Sequence, residues 1–395
     1  MADNSFIPFH RPSIGTEETD AVMRVLQSKW LTTGPVTLEF EREFAAYLGV
    51  KYALAVNSGT AALQLALDAI GLKQGDEVIV PTNTFTATGE VVTYFGARPV
   101  LCDSLAGGFN MDPADVRRKI TSKTRALIPV HIAGQCCAMD ELRAIADEHR
   151  LHIVEDAAHA LPTTYRGKKV GTISDLTAFS FYATKTLTTA EGGMLTSNDE
   201  GYIKRVSLMR LHGIGGDAWK RYSATGSWYY EVQDAGYKMN LCDILSALGR
   251  AQLKKVDQFW QERCQIRAKY DDAFRSMPEL QLPPADAGDV HAWHLYILRI
   301  RPELLEVNRN QFIEELKKLG IGTSVHFIPL HLHPYYARTY GYHEKDFPNA
   351  NDAFSRCLSL PIYPDMSEQE VQRVIASVQG VVQKNRKSKS VAAMQ

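Results

Sequence analysis

Between Tyr52 and about Ser197, short apolar runs alternate with stretches of helical period. The runs are Ala53–Val56, Val78–Val80, Arg98–Cys102, Ala126–Val130, His152–Glu155 and Thr177–Tyr182. Each is close to continuous in apolar residues, the pattern of a strand buried on both faces. Strands separated by helix-length segments pair in parallel through crossover connections, with helices over the sheet. The expected fold is therefore α/β, built on a mostly parallel, buried sheet. Met194–Thr196 reads as a further strand running the other way.

Before this region, Glu17–Ser28 is helix-like, Thr32-Thr33-Gly34-Pro35 reads as a turn, and residues 36–50 form an amphipathic helical pattern. After it, residues 200–235 are loop-rich, and one helical stretch from about Cys242 to Phe274 is broad enough to bridge two domains. Pro283-Pro284 reads as a linker. Strand-like His294–Ile300, helical Arg309–Leu319, strand-like Gly322–Phe327 and a last helix from about Ser367 then suggest a smaller α+β domain. We place the large domain at residues 1–250 and the small one at 251–395, with the tail from Lys384 solvated.

The 44 basic and 45 acidic residues give a formal charge of −1, which leaves no basic footprint for nucleic acid or anionic lipid. No run approaches the roughly 20 apolar residues of a membrane span. The start, MADNSFIPFHRPSIGTEE, lacks the basic and apolar regions of a signal peptide. The six scattered cysteines contain no CxxC and read as reduced thiols. A cytoplasmic protein is expected.

Three motifs carry chemistry. Asn57-Ser58-Gly59-Thr60 follows a strand and opens a helix, so free amides beside a glycine form a phosphate seat. It is not a P-loop, since GxxxxGK[ST] is absent. Glu155-Asp156-Ala157-Ala158-His159 stands at a strand's carboxyl end, where open α/β sheets bind ligands. Its carboxylates and imidazole could hold a metal, run acid–base work or grip a cofactor ring. Phe179-Ser180-Phe181-Tyr182-Ala183-Thr184-Lys185 ends another strand on a lysine whose burial would leave a nucleophilic amine. An anion seat, an acid and then a lysine follow the order of fixtures for pyridoxal 5′-phosphate. Phe85, just past the strand Val78–Val80, is a candidate for stacking on its ring.

With these residues the chain resembles the DegT/DnrJ/EryC1/StrS sugar-nucleotide aminotransferases, within fold-type I pyridoxal-phosphate enzymes. The resemblance runs from about Ile7 to Ile375. It rests on Trp30-Leu31-Thr32-Thr33-Gly34-Pro35, Ser58-Gly59-Thr60, Gly75-Asp76-Glu77-Val78, Glu155–Ala160 and Phe179-Ser180-Phe181 with Lys185 and Glu191-Gly192-Gly193. It implies a large three-layer αβα domain and a small C-terminal one. It implies that Lys185 holds the cofactor covalently and moves the substrate proton, and that Asp156 pairs with the ring nitrogen. Gly59, Thr60 and Ser180 hold the phosphate, Phe85 stacks, and His159 lies by the ring's polar edge. Asn240 matches a residue that reaches the phosphate from the other subunit, which implies a homodimer with shared active sites. Thr33, Lys238 and His326 match substrate-side positions.

Leu211-His212-Gly213-Ile214-Gly215-Gly216-Asp217-Ala218-Trp219, Gly236–Leu241, His291–Leu295 and Gly322–Phe327 resemble most the branch that makes UDP-4-amino-4-deoxy-L-arabinose for lipid A. Tyr182-Ala183, Met239, Cys242 and Leu245-Ser246 depart from the common pattern, whereas the tract Leu330–Tyr335 differs from the arabinose-type branch and resembles the wider family; several of these residues stand where sugar substituents could be read. The resemblance implies transfer of an amino group from glutamate, releasing 2-oxoglutarate, to a nucleotide-linked keto-sugar at C4. A dehydratase on the same cofactor is one alternative, and Lys185 counts against it because those relatives carry histidine there. A non-catalytic regulator keeping the fold is another. His331 and His333 form an HxH pair without a third ligand at a convincing spacing, so no metal site is expected.

Overall fold

The computed structural model describes residues 5–215, 228–284 and 288–388. Helices α1 (Thr16–Ser28) and α2 (Pro35–Leu48) come first, with Pro35 at the opening position of α2, where no intrahelical N–H is needed. The alternating region then runs β1 (Tyr52–Val56), α3 (Gly59–Ala69), β2 (Glu77–Pro81), α4 (Thr86–Thr93), β3 (Arg98–Cys102), α5 (Pro113–Lys119), β4 (Thr124–Leu127), α6 (Met139–His149) and β5 (His152–Asp156). A short ribbon, β6 (Thr164–Tyr165) and β7 (Lys168–Lys169), precedes β8 (Leu176–Ser180), β9 (Gly193–Ser197) and α7 (Glu200–Met209).

Seven strands form one sheet in the order β1-β9-β8-β5-β4-β2-β3. Only β9 runs against its neighbours, as the Met194–Thr196 reading expected. The pairs β2–β3, β2–β4, β4–β5 and β5–β8 are parallel. The apolar runs are the strands to within a few residues, because Val56, Val78, Val80, Ala126 and Val154 are fully or almost fully buried against α3 and its neighbours. Leu63 and Leu67 are the inward stripe of α3. This order brings the carboxyl ends of β1, β5 and β8 to one edge of the sheet.

Helices α8 (Asp243–Leu253) and α9 (Val256–Phe274) lead to a second sheet of β10 (Leu280–Gln281), β11 (Tyr296–Ile300) and β12 (Cys357–Leu360), all antiparallel. Helices α10 (Arg309–Lys318), α11 (Pro334–Tyr340), α12 (Pro348–Arg356) and α13 (Glu368–Asn385) complete the chain. Tyr270, Phe274, Tyr296, Leu298, Phe312 and Val374 form its separate core. Ser367 caps α13: its hydroxyl accepts from Glu370 N (3.2 Å) and the Glu370 carboxylate accepts from Ser367 N (2.8 Å).

Three expectations are corrected. The helix read from Cys242 to Phe274 is two helices broken by a turn at Lys254-Lys255. Leu253 and Val256 pack into the core of Phe40 and Phe181, whereas Ile266, Tyr270 and Phe274 pack into the other core, so the chain turns between two apolar targets. The segment 322–327 is not a strand. Gly322 N donates to Ile7 O (2.8 Å) and Ser324 exchanges bonds with Ser359 (3.2 and 2.7 Å), one bridge to each of two partners rather than a ladder. The boundary expected at residue 250 falls inside α8. The tail reading is corrected at Lys384 and Asn385, which belong to α13, and residues 389–395 lie outside the described residues. So do Gly216, Asp217, Ala218 and Trp219 of the arabinose-type stretch. Among the described residues all six cysteines are free, and no helix is long and apolar enough to cross a membrane.

Candidate active site

A cavity of about 400 Å³ opens at the carboxyl ends of β1, β5 and β8. Its sheet side begins with the first turn of α3. Ser58 caps that helix, its Oγ accepting from Ala61 N at 3.0 Å. The amides of Gly59 and Thr60 have no carbonyl one turn earlier to receive them, so the turn presents N–H groups and the positive end of the helix. Residue 59 has to be glycine for a packing reason: a Cβ there would stand 2.8 Å from Ser180 Cβ. A Cβ at Gly193 would stand 2.5 Å from Ser58 O. Strands β8 and β9 thus press directly against the start of α3, and the bare backbones leave the seat open.

Strand alternation separates the two acids at the end of β5. Glu155 turns into the interior, where it pairs with His131 Nε2 (2.7 Å) and accepts from Thr177 Oγ1 (3.0 Å). This corrects the expectation that both carboxylates face one site. Asp156 lines the cavity and accepts from Thr88 Oγ1 (2.8 Å) and Ala158 N (3.1 Å). Burial pushes its carboxyl above the ordinary range, against the pull of these donors and of Lys185.

Lys185 follows β8 on a turn closed by its N–H to Tyr182 O (2.9 Å). Burial lowers its ammonium to about 8, opposed by the Asp156 carboxylate. The nearby Thr188 and Thr189 hydroxyls are directed elsewhere, to Phe181 O (3.1 Å) and Glu191 O (2.7 Å).

His159 is buried and lies almost parallel to Phe327, with ring centres 5.8 Å apart. Burial drives its imidazole well below the usual range, so it is neutral. Ala133 N donates to Nδ1 (3.3 Å), which puts the ring proton on Nε2. His326 shares its Nδ1 with Ser359 Oγ (2.8 Å), and burial lowers it to about 4. Phe85 stands at the rim, 59% exposed, 5.9 Å from the Phe327 ring.

Gly59, Thr60, Phe85, Asp156, His159, Ser180, Lys185 and His326 therefore meet in one cavity. Thr33, Lys238 and Asn240 do not line it. They form their own chain, Lys238 Nζ to Asn240 Oδ1 and Asn240 Nδ2 to Thr33 Oγ1 (2.6 Å), with the Thr33 hydroxyl on Leu241 O. Of the HxH pair, His331 bonds Thr82 Oγ1 (2.7 Å) and Asn351 Oδ1 (2.9 Å) through its two nitrogens. No cluster of three metal-type ligands occurs among the described residues.

Sequence reasoning missed Thr88, His294, Phe327 and Phe9. Thr88 stood in the hydroxyl-rich segment Thr82–Thr88, the one signal that could have marked it. His294 stacks 4.4 Å from His159, and Phe9 lies 5.2 Å from His326. Nothing local in the chain announces those contacts.

An anion seat that a single Cβ would fill, a desolvated amine and a buried carboxylate share one cavity. These are the groups that the phosphate, aldehyde and ring nitrogen of pyridoxal phosphate require. The model of the DegT/DnrJ/EryC1/StrS aminotransferase family matches residues 12–379. The spore coat polysaccharide biosynthesis protein SpsC of Bacillus subtilis is 48% identical over 380 residues, covering 96% of this chain and 98% of its own. The pyridoxamine-phosphate form of the putative sugar aminotransferase Spr1654 of Streptococcus pneumoniae superposes with a TM-score of 0.90 at 37% identity, over 96% of this chain and 99% of that one. PseC of Helicobacter pylori, an aminotransferase involved in pseudaminic acid biosynthesis, gives 0.89 at 29% identity, over 96% and 100%. The chain belongs to the DegT/DnrJ/EryC1/StrS aminotransferase family, sugar aminotransferases of pyridoxal-phosphate fold type I.

Proposed function

We propose that this protein moves the amino group of glutamate onto a nucleotide-linked keto-sugar in the cytoplasm, at C4 of a UDP-sugar, for surface polysaccharide or lipid A. The observation that carries this reading is the desolvated amine of Lys185 sharing one cavity with the buried carboxylate of Asp156. Bound pyridoxal phosphate supplies an electron sink for the carbanion left when a proton leaves the amino-bearing carbon. The chain's own residues do the rest. Lys185 would carry a proton from the glutamate carbon to the bound group in the first half-reaction and from that group to the sugar carbon in the second, and an amine lowered to about 8 suits both directions near neutral pH. Asp156, whose ionised form the Thr88 hydroxyl and the Ala158 amide favour against its burial, would hold a proton on the ring nitrogen. The Gly59 and Thr60 amides and the Ser180 hydroxyl hold the phosphate, Phe85 covers the ring, and neutral His159 offers Nε2–H at its edge.

In this reading Thr33, Lys238 and His326 meet the substrates, and Asn240 serves the partner's phosphate in a homodimer. That Asn240 does not line its own chain's cavity supports the shared arrangement. The division into a large and a small domain near residue 250 belongs to the same proposal. The roles named for SpsC and PseC support a sugar destined for a polysaccharide or a related acid sugar. The test is a panel of UDP-, dTDP- and GDP-linked keto-sugars with glutamate, read by mass spectrometry. Gain of an amine with the UDP-4-keto-sugar supports the reading. Loss of water without an amine would favour a dehydratase.

A further inference from the structure

Lys185 ends a four-residue turn that begins at Tyr182 and is closed by Lys185 N on Tyr182 O (2.9 Å). That bond ties the first and last residues together. It leaves the peptide between Ala183 and Thr184 free to rotate, the motion that separates one turn type from another. Because a peptide unit is planar, whatever holds its carbonyl orients the whole unit. The carbonyl here is Ala183 O, and it accepts from His10 Nε2 at 3.1 Å, across 173 positions of chain. Among the described residues His10 is its only hydrogen-bond donor.

His10 is itself braced on both sides. Before it, Ile7 N donates to Gly320 O (2.9 Å) and Ile7 O accepts from Gly322 N (2.8 Å). After it, Ser13 O accepts from Nε2 of the buried Gln252 (2.9 Å). The imidazole lies edge-on to the buried Tyr363, with ring centres 5.9 Å apart and planes at 67°. A carbonyl only accepts, so His10 Nε2 carries the proton. Burial, with the charges of Arg263 and Lys185, lowers the ring to about 4, so it is neutral and adds no positive charge beside those two cations.

We propose that His10 is a positioning residue for Lys185: its Nε2–H, braced at both ends of the arm, orients the central peptide of the turn and so sets where the amine stands in the cavity. This rests on the assignment of Lys185 to the cofactor. Capture joins Nζ to the aldehyde carbon through a carbon–nitrogen bond, and the aldehyde oxygen leaves as water with the two protons of the neutral amine. His10 exchanges no atom or proton in that step. It governs how often Nζ stands where the aldehyde carbon arrives. The anion seat at Gly59 and Thr60 and the carboxylate of Asp156 do their binding without it.

The test separates reaction from binding. The full chain, freed of cofactor, is mixed with pyridoxal phosphate in a stopped-flow spectrometer to follow bond formation. It is also titrated with 4′-deoxypyridoxine 5′-phosphate, which lacks the aldehyde and reports the seat and ring contacts alone. His10→Phe keeps a ring against Tyr363 and removes the donor. Its capture should slow by about three- to ten-fold, the range that one neutral hydrogen bond supports, with the deoxy compound bound as tightly as by wild type. His10→Gln returns a donor near the position of Nε2 and should capture within about two-fold of wild type. Capture by His10→Phe at the wild-type rate overturns the proposal, as does a His10→Gln protein as slow as His10→Phe. A wild type that binds both compounds without reacting overturns the assignment of Lys185, and this inference with it. Should His10→Phe fail to fold, His10→Asn, whose amide ends short of Ala183 O, takes its place under the same criteria.

Discussion

Thr88→Val deletes one hydroxyl and keeps the side chain's shape. In the native protein Thr88 Oγ1 lies 2.8 Å from Asp156 Oδ2 and 2.7 Å from Thr84 Oγ1. A carboxylate only accepts, so the Thr88 O–H points to Asp156 and Thr84 donates to Thr88. Asp156 then keeps one other donor, the Ala158 amide. A hydrogen bond to a charged group contributes about 1.5–3 kcal/mol, and about 1.4 kcal/mol corresponds to one pKa unit. The substitution should therefore raise further a carboxyl that burial already holds high. Ionised Asp156 then persists over a narrower pH range. The acidic limb of the glutamate half-reaction, followed in single turnover at the cofactor's absorbance, should move to higher pH. The alkaline plateau should stay within a few-fold of wild type. Stability follows the same sign. A raised carboxyl contributes stability that is full in acid and lost as pH rises through its folded value. The deficit of the variant should thus be smallest in acid and full at neutral pH. An acidic limb that coincides in variant and wild type would refute the claim that Thr88 governs Asp156.

The cofactor-free Lys185→Met protein should be more stable than wild type at pH 7, by about 3 kcal/mol at most and less where solvent screens the amine. The lysine's lowered value means its stability contribution is lost as pH falls through about 8, so denaturation midpoints of variant and wild type should converge above about pH 10. Gly59→Ala should weaken cofactor binding roughly ten-fold by fluorescence titration, because the new Cβ stands 2.8 Å from Ser180 Cβ and costs about 1–3 kcal/mol of overpacking. Unchanged affinity would mean that the seat tolerates displacement. Mixing Lys185→Ala and Asn240→Ala chains through unfolding and refolding should restore about a quarter of wild-type sites, as random pairing of shared-site dimers requires. Activity no higher than that of Asn240→Ala alone would rule out the shared site.

The parts legible in the sequence were those decided locally. Six apolar runs gave six strands because a strand buried on both faces has no polar alternative. Ser58-Gly59-Thr60, Asp156 and Lys185 stood out because a helix start and two strand ends put them at the ligand-binding edge of the sheet. The alternation that sends Glu155 inward and Asp156 outward was available in principle, since neighbours on a strand face opposite ways. The break at Lys254-Lys255 carries no glycine or proline, and it arises because two separate cores claim Val256 and Ile266. His294 and Phe327 reach His159 across more than a hundred residues of chain, so their contact is a product of tertiary packing alone. The reason for Gly59 is likewise three-dimensional: its motif was visible, whereas its contact with Ser180 was not.

Amino-group transfer at Lys185 is tested most directly with ¹⁵N-glutamate and a UDP-4-keto-sugar. We expect the label to appear on the sugar with wild-type enzyme, 2-oxoglutarate to form in equal amount, and both to vanish in Lys185→Ala while Asp156 and the rest of the fold remain intact. Label transferred at the wild-type rate by Lys185→Ala would contradict the role assigned to this lysine.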